Sequence, residues 1–167
     1  MFERVSSRWS AAQWAAYEDL QTNTPRTTTF NILVNPHIST VDQSDEYIQS
    51  WKRRLVEEAF KLQDAQTAQE ALGTEVLQRV ISSRIDGIPA TEIGNRFHLL
   101  HVHFILHIRH HPEDRIDIRN VSRQLGYYFS RVLSIPGVFV NAELDLSAIH
   151  TSNYVRKQRI ANQVRIM

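Results

Sequence analysis

The chain contains no cysteine in its 167 residues, which excludes disulfides, thiolate zinc sites and a cysteine nucleophile together. Any metal chemistry must therefore use histidine and carboxylate. Neither sign of charge is in excess: 19 Lys and Arg against 18 Asp and Glu leave a formal net charge of +1. Bulk charge does not announce nucleic-acid binding, and a surface for it has to be local. No apolar run approaches the ~18 residues of a membrane span, and the stretch from Met1 to Trp14 lacks the apolar core of a secretory signal. An intracellular protein with no membrane partner is expected. A Gly-x-x-x-x-Gly-Lys-Ser/Thr phosphate loop is missing as well, so no ATP-driven motor is expected within the chain. There is no internal repeat and no low-complexity tract. A hydrophobic content of 42% over this length suits one core, so residues 1–167 read as a single domain.

What is present alternates between helical and extended patterns. Ser10 to Leu20 reads as a short helix capped by Ser10, inside an N-terminal extension over 1–25. Thr27 to Asn35 is β-branched and aromatic and reads as a strand stopped by Pro36. Tyr47, Ile48, Trp51, Leu55, Ala59 and Leu62 form a stripe at helical spacing, which predicts one helix from about Ser44 to Leu72. Between Glu75 and Ile93 neither period is clean, and a strand ending near Thr91-Glu92-Ile93 is favoured. Gly94-Asn95-Arg96 is a turn signal that makes a hairpin with the next strand, Phe97 to Ile108. A helix over Ile116–Leu133, a strand over Val138–Leu146 and a last helix over Ser152–Gln163 complete the order. The natural solution is α+β: a central, mainly antiparallel sheet with helices packed mostly on one face and the other face free for a site.

The hairpin strand carries histidines where a plain core strand would carry aliphatics. His101 and His103 lie two apart, so they face the same way at about 6.6 Å along the strand and can reach one metal ion. With the hairpin centred on its turn, Glu92 lies opposite His101; Asp86 is the reserve carboxylate. His107 shares their face and reads as a supporting or sheet-surface residue, and His98, His110 and His111 have no evident task. Tyr154 and Lys157, three apart at the start of the last helix, are neighbours on one helical face. A cation beside a phenol favours the phenolate, the nucleophilic form; the alternative is a packed tyrosine next to a solvated lysine. Arg156, Lys157, Arg159 and Arg165 gather basic charge around that helix. Of the pair Tyr127-Tyr128, Tyr128 falls near an inward stripe and reads as core.

From about Thr27 to Lys157 the chain resembles the HUH endonuclease domain of rolling-circle replication initiators, the Rep proteins of small circular DNA viruses and related mobile elements. Three motifs carry the resemblance in the family's order. Thr29-Phe30-Asn31-Ile32-Leu33-Val34-Asn35-Pro36 is similar to the first, a strand ending in Asn before a turn. His101-Val102-His103 looks like the second, a metal-binding pair, and Tyr154-Val155-Arg156-Lys157 like the third, the Tyr-x-x-Lys nicking motif. A helix and a strand separate the last two, as in that family.

The resemblance implies an HUH/Rep-like (ferredoxin/RRM-like) endonuclease fold that nicks and rejoins single-stranded DNA at a replication origin. His101, His103 and Glu92 would hold Mg2+ or Mn2+, a donor set of histidine and carboxylate that suits manganese. Tyr154 would attack phosphorus to form a 5′-phosphotyrosyl link and release a 3′-hydroxyl, with Lys157 stabilising charge. Arg96, Asn35, Arg156 and Arg159 would contact DNA. The implied partners are an origin or hairpin in single-stranded DNA and a separate helicase or host replication proteins; a homodimer is a further expectation, and with no helicase segment after Met167 the chain would be either a separately encoded nickase or an excised domain. The implied location is a host nucleus or cytoplasm for a viral protein, or the cytoplasm for a prokaryotic element. Two other readings stand beside this one: a single-strand-binding protein that does not cut, and a single-tyrosine HUH transposase. A two-His-one-carboxylate iron oxygenase ranks below them, because its barrel of short strands does not fit two long helices.

Overall fold

The first strand, β1 (Arg26–Ser39), alternates so that Phe30, Ile32 and Val34 point to one side, where all three are fully buried. The computed structural model that shows this describes residues 9–16 and 24–146, leaving out the side chains of 87, 88 and 90. After β1 come two helices, α1 (Asp45–Lys61) and α2 (Ala65–Leu72), then the hairpin strands β2 (Val80–Ile93) and β3 (Leu99–His110), helix α3 (Ile118–Leu133) and strand β4 (Phe139–Leu144). A further helical segment covers 11–16. Among the described residues no helix is long and apolar enough to cross a membrane.

The four strands form one sheet in the order β2-β3-β1-β4, antiparallel throughout. Two strand-helix-strand units interleave, each leaving room for a strand of the other, so that β1 and β3 occupy the centre. In β3 the even-numbered residues Leu100, Val102, Phe104, Leu106 and Ile108 are buried against the same core as β1. The helices cover that side. Ile48, Leu55 and Ala59 of α1, Ala68 and Leu72 of α2, and Val121, Leu125, Phe129 and Leu133 of α3 all join the cluster. Burying a side chain of this size is worth ~1.5–3 kcal/mol, and a one-residue slip of either central strand would turn its whole apolar set outward.

Two expectations need correction. The strand after residue 26 does not stop at Pro36 but continues to Ser39, because its register with β3 shifts between Val34 and Ile38. A bulge tolerates the N–H that proline lacks, and this one is held by the Asn35 Oδ1, which accepts the His37 N–H at 2.8 Å, with His37 at φ 60°. The single helix expected over 44–72 is two. Asp64 accepts the N–H of Thr67 at 2.9 Å and also its hydroxyl, and so caps a new helix. Those bonds from Thr67 hold the Asp64 carboxyl below its ordinary range. The strand before the hairpin turn ends at Ile93, as expected, and begins at Val80; the stretch ahead of it is a loop tied down by the Gln69 side chain, which donates to the Leu77 carbonyl at 2.7 Å and accepts from the Val80 N–H.

Phe129 sits at 0% exposure where α3 meets the sheet, with the Tyr128 ring edge-on at 5.5 Å. Phe129→Ala should lower unfolding stability by about 3–5 kcal/mol, read as a reduced urea midpoint at unchanged slope.

Candidate metal and nucleic-acid face

On β3 the odd-numbered residues point away from the helices, which puts His101, His103, Ile105 and His107 in a row on the second face of the sheet. Residues paired across an antiparallel ladder share a face, so the register names their neighbours. On the β2 side Glu92 pairs with His101, Asp86 with Ile105 and Arg84 with His107. On the β1 side Leu33 pairs with His103, Asn31 with Ile105 and Thr29 with His107. Beyond β1, Asn141 and Glu143 of β4 extend the face.

The hairpin register expected for Glu92 is the one observed. The Gly94 N–H donates to the Leu99 carbonyl at 3.0 Å and closes the turn, which leaves Glu92 and His101 directly opposite. His101 Nε2 lies 3.0 Å from Glu92 Oε2. A carboxylate only accepts, so the ring nitrogen donates. The His101 side chain is 15% exposed and that of Glu92 53%, so the carboxylate keeps an oxygen toward solvent. His103, one step along the same face, is exposed and has no hydrogen-bonding partner among the described residues. Asp86 belongs elsewhere: its Oδ2 lies 3.5 Å from His107 Nε2, while His107 Nδ1 is 2.8 Å from the Thr29 hydroxyl. Glu92, not Asp86, is thus the carboxylate beside the His101/His103 pair.

By chemical type, two imidazoles and a carboxylate on one solvent-facing surface fit a divalent ion with open coordination positions. Their heads do not converge: among the described residues no group of three His, Asp or Glu stands at metal-holding spacing. The Glu92–His101 contact is a ready-made pair, and His103 is the nearest free donor on the same strand face. No protein-family model, curated protein or solved structure matches this chain. The geometry of the face therefore carries the functional argument.

The remaining candidates sort by position. Arg96 is exposed at the hairpin tip, its guanidinium 5.1 Å from the Phe97 ring centre. Asn35 lies at the end of β1 opposite Phe139, with its amide oxygen engaged in the bulge. Tyr154, Arg156, Lys157 and Arg159 lie outside the described residues, as does the helix expected over Ser152–Gln163. Tyr128 is buried in α3, where burial raises its phenol above the ordinary value of 10.0, while Tyr127 is 66% exposed. Two residues on the histidine face carried no expectation from the sequence: Arg84, and Arg109, which pairs with Ser82 and Thr27. Strand parity counted from His101 reaches Arg109. The place of Arg84 depends on a register shift between Asp86 and Ala90; in an unbroken ladder it would stand opposite Arg109, two like charges in contact.

The other histidines are structural. His98 takes φ 51° at the tip, and its carbonyl accepts the N–H and hydroxyl of Thr40 at 2.9 and 3.0 Å. His111 Nδ1 accepts the Glu113 N–H at 3.2 Å. His110 is 2% exposed; its Nδ1 donates to the His111 carbonyl at 2.9 Å, and its Nε2 meets the Thr28 hydroxyl at 2.7 Å. The neutral ring satisfies both bonds, with Thr28 donating. Burial holds its pKa below the ordinary 6.5, against the opposing pull of the His111 carbonyl and Asp114. With the folded value lowered, the unfolded chain binds the proton more readily. The contribution to stability is whole above about pH 6.5 and is lost as pH falls through the lowered folded value. Melting temperature should fall on acidification below pH 6.5, and His110→Gln should flatten that part of the profile.

Proposed function

We propose that this chain nicks and rejoins single-stranded DNA, with His101, His103 and Glu92 as the holders of Mg2+ or Mn2+ and Tyr154 as the nucleophile. One observation carries the reading: Glu92 of β2 and His101 of β3 are ladder partners in contact at 3.0 Å, with His103 next to them on a sheet face that no described helix covers. The β-α-β-β-α-β connectivity with β1 and β3 central supports an HUH/Rep-like, ferredoxin/RRM-like fold. A bound divalent ion supplies Lewis-acid polarisation of the scissile phosphate. The residues of the chain do the rest. Glu92 fixes the His101 ring, and His103 offers a ring nitrogen for which nothing competes among the described residues. The Tyr154 phenol oxygen bonds to phosphorus as the bond from phosphorus to the 3′-oxygen breaks; the phenol gives up its proton and the leaving 3′-oxygen takes one. Reversal of the same exchange rejoins the ends, and Lys157 offsets the negative charge that develops. The strand itself lies along β3, with Arg84 and Arg109 meeting its phosphates toward the end remote from His101, about 20 and 26 Å away over six and eight residues of β3. A protein acting this way works inside the cell that holds the DNA.

The separation of the three donors favours a second reading, a single-strand-binding protein that does not cut. A randomised single-stranded oligonucleotide pool carrying a 3′ label, incubated with Mn2+, separates the two. The nickase forms a detergent-resistant protein–DNA adduct, Tyr154→Phe forms none, and His101→Ala or His103→Ala lowers the yield by ~10²-fold or more. Label that never becomes protein-bound, with binding intact, rules out cutting and leaves the second reading.

The path along β3 makes its own forecast. For single strands the slope of log affinity against log salt is about −0.7 per phosphate neutralised. Arg84→Gln and Arg109→Gln should each reduce its magnitude by about 0.7, and Arg→Lys at either position should leave it unchanged.

A further inference from the structure

We infer that the tip of the β2–β3 hairpin is a base-stacking platform, on which Phe97, backed by Arg96, holds a base of single-stranded DNA beside the Glu92–His101 pair. The inference rests on the single-strand reading of this face and adds to it a contact with the bases.

An isolated exposed apolar side chain is ordinary; several features set this one apart. Phe97 is 65% exposed, as is Val41, next in the chain to the Thr40 that binds the tip. A tip so apolar is also firmly held. The His98 N–H donates to the Gly94 carbonyl at 3.0 Å, the Gly94 N–H closes the turn on Leu99, and both the backbone and the hydroxyl of Thr40 bind the His98 carbonyl. His98 at φ 51° stores strain at the residue after Phe97. Such strain persists only where surrounding contacts over-determine the shape, and these four hydrogen bonds do so. The Arg96 guanidinium, 5.1 Å from the ring centre, covers one side of Phe97, which orders the ring in advance and leaves a positive charge next to it.

The position suits the ligand. Leu99, which closes the turn, is two residues from His101, or ~7 Å along the strand. Phe97 lies two residues beyond Leu99, so a base stacked at the tip belongs to a nucleotide within a few of a phosphate held by the histidine pair, and Arg96 beside it is placed for a phosphate of that stretch. Aromatic stacking accepts any base, and charge alone accepts any phosphate; both together select an unpaired strand, whose bases are free to leave the stack. Duplex DNA offers no base face to such a tip.

The test compares fluorescein-labelled oligothymidylate with an all-abasic strand of equal length by anisotropy, in EDTA so that no cleavage intervenes. The phosphates are the same in both, so their ratio isolates the bases. Stacking on one aromatic corresponds to roughly 5- to 150-fold in affinity. The expected result is a clear preference for oligothymidylate, which Phe97→Leu lowers about tenfold and Phe97→Trp retains, with abasic-strand affinity equal in all three proteins. An equal loss in Phe97→Leu and Phe97→Trp, an unchanged preference in Phe97→Leu, or no binding of oligothymidylate by the natural protein would overturn the platform. Tighter binding of oligouridylate would assign it to RNA and overturn it as stated. If the expected pattern appears while no adduct forms with Mn2+, the platform stands and the cutting chemistry of the proposed function fails.

Discussion

The period-two alternation of β3 is the constraint on which the rest depends. Its even positions are five apolar residues locked into the core, and its odd positions are the histidine face. Core and site are specified by one register, because moving the strand by a single residue would bury His101 and His103 and expose Leu100 and Val102. Burying two imidazoles without partners costs free energy at the same time as the apolar burial is lost. The packing that makes the protein fold thus also presents the candidate ligands, and the histidine row needs no stabilisation of its own beyond one bond from Glu92 and one from Thr29.

Irregularities in the two neighbouring strands then decide what stands beside that row. The shift in β2 between Asp86 and Ala90 moves Asp86 from its unbroken-ladder place opposite His107 to one opposite Ile105, from where it still reaches the His107 ring, while Glu92 stays with His101 near the turn. The same shift takes Arg84 off Arg109 and puts it across from His107. The shift in β1 between Val34 and Ile38 lets the chain pass Pro36 and still pair Ile38 with Leu100, so that the end of the face near the hairpin tip keeps a complete central strand. The face carries the Glu92–His101 pair near the turn and Arg84 and Arg109 toward its other end, and the shift in β2 keeps those two cations from standing opposite each other.

The hairpin could be read from the chain because its signals are local and concordant. A turn tripeptide, flanking β-branched residues and alternation all agree, and the pairing of Glu92 with His101 follows by counting outward from Gly94. The α+β order and the burial of Tyr128 were legible for the same reason. The course of β1 was not, since what carries the strand past Pro36 is the Asn35 side chain bonding two residues ahead and a partner strand sixty residues away. The helix break was half legible. Asp64 and Thr67 form a capping pattern, but an apolar stripe that ran on through Leu62 spoke for continuity, and the local cap prevailed. Arg84 illustrates the hardest case, for its neighbour is set by a register shift that no pattern in β2 announces.

The unequal treatment of the two histidines follows from this architecture and bears on what the face can do. His101 stands opposite a carboxylate, and its Nε2–H donates to Glu92, so ring and carboxylate are oriented before any ligand arrives. His103 stands opposite Leu33 on one side, and among the described residues nothing competes for its ring nitrogens. A divalent ion reaching this face meets one donor already free and two that must first exchange the proton between them for metal. A phosphate meets instead an imidazole able to donate and an adjacent carboxylate that repels it. The same three side chains therefore bind an anion poorly by themselves and well once a cation lies between, so their own contribution to holding an anion depends on a cation, unlike that of Arg84 and Arg109.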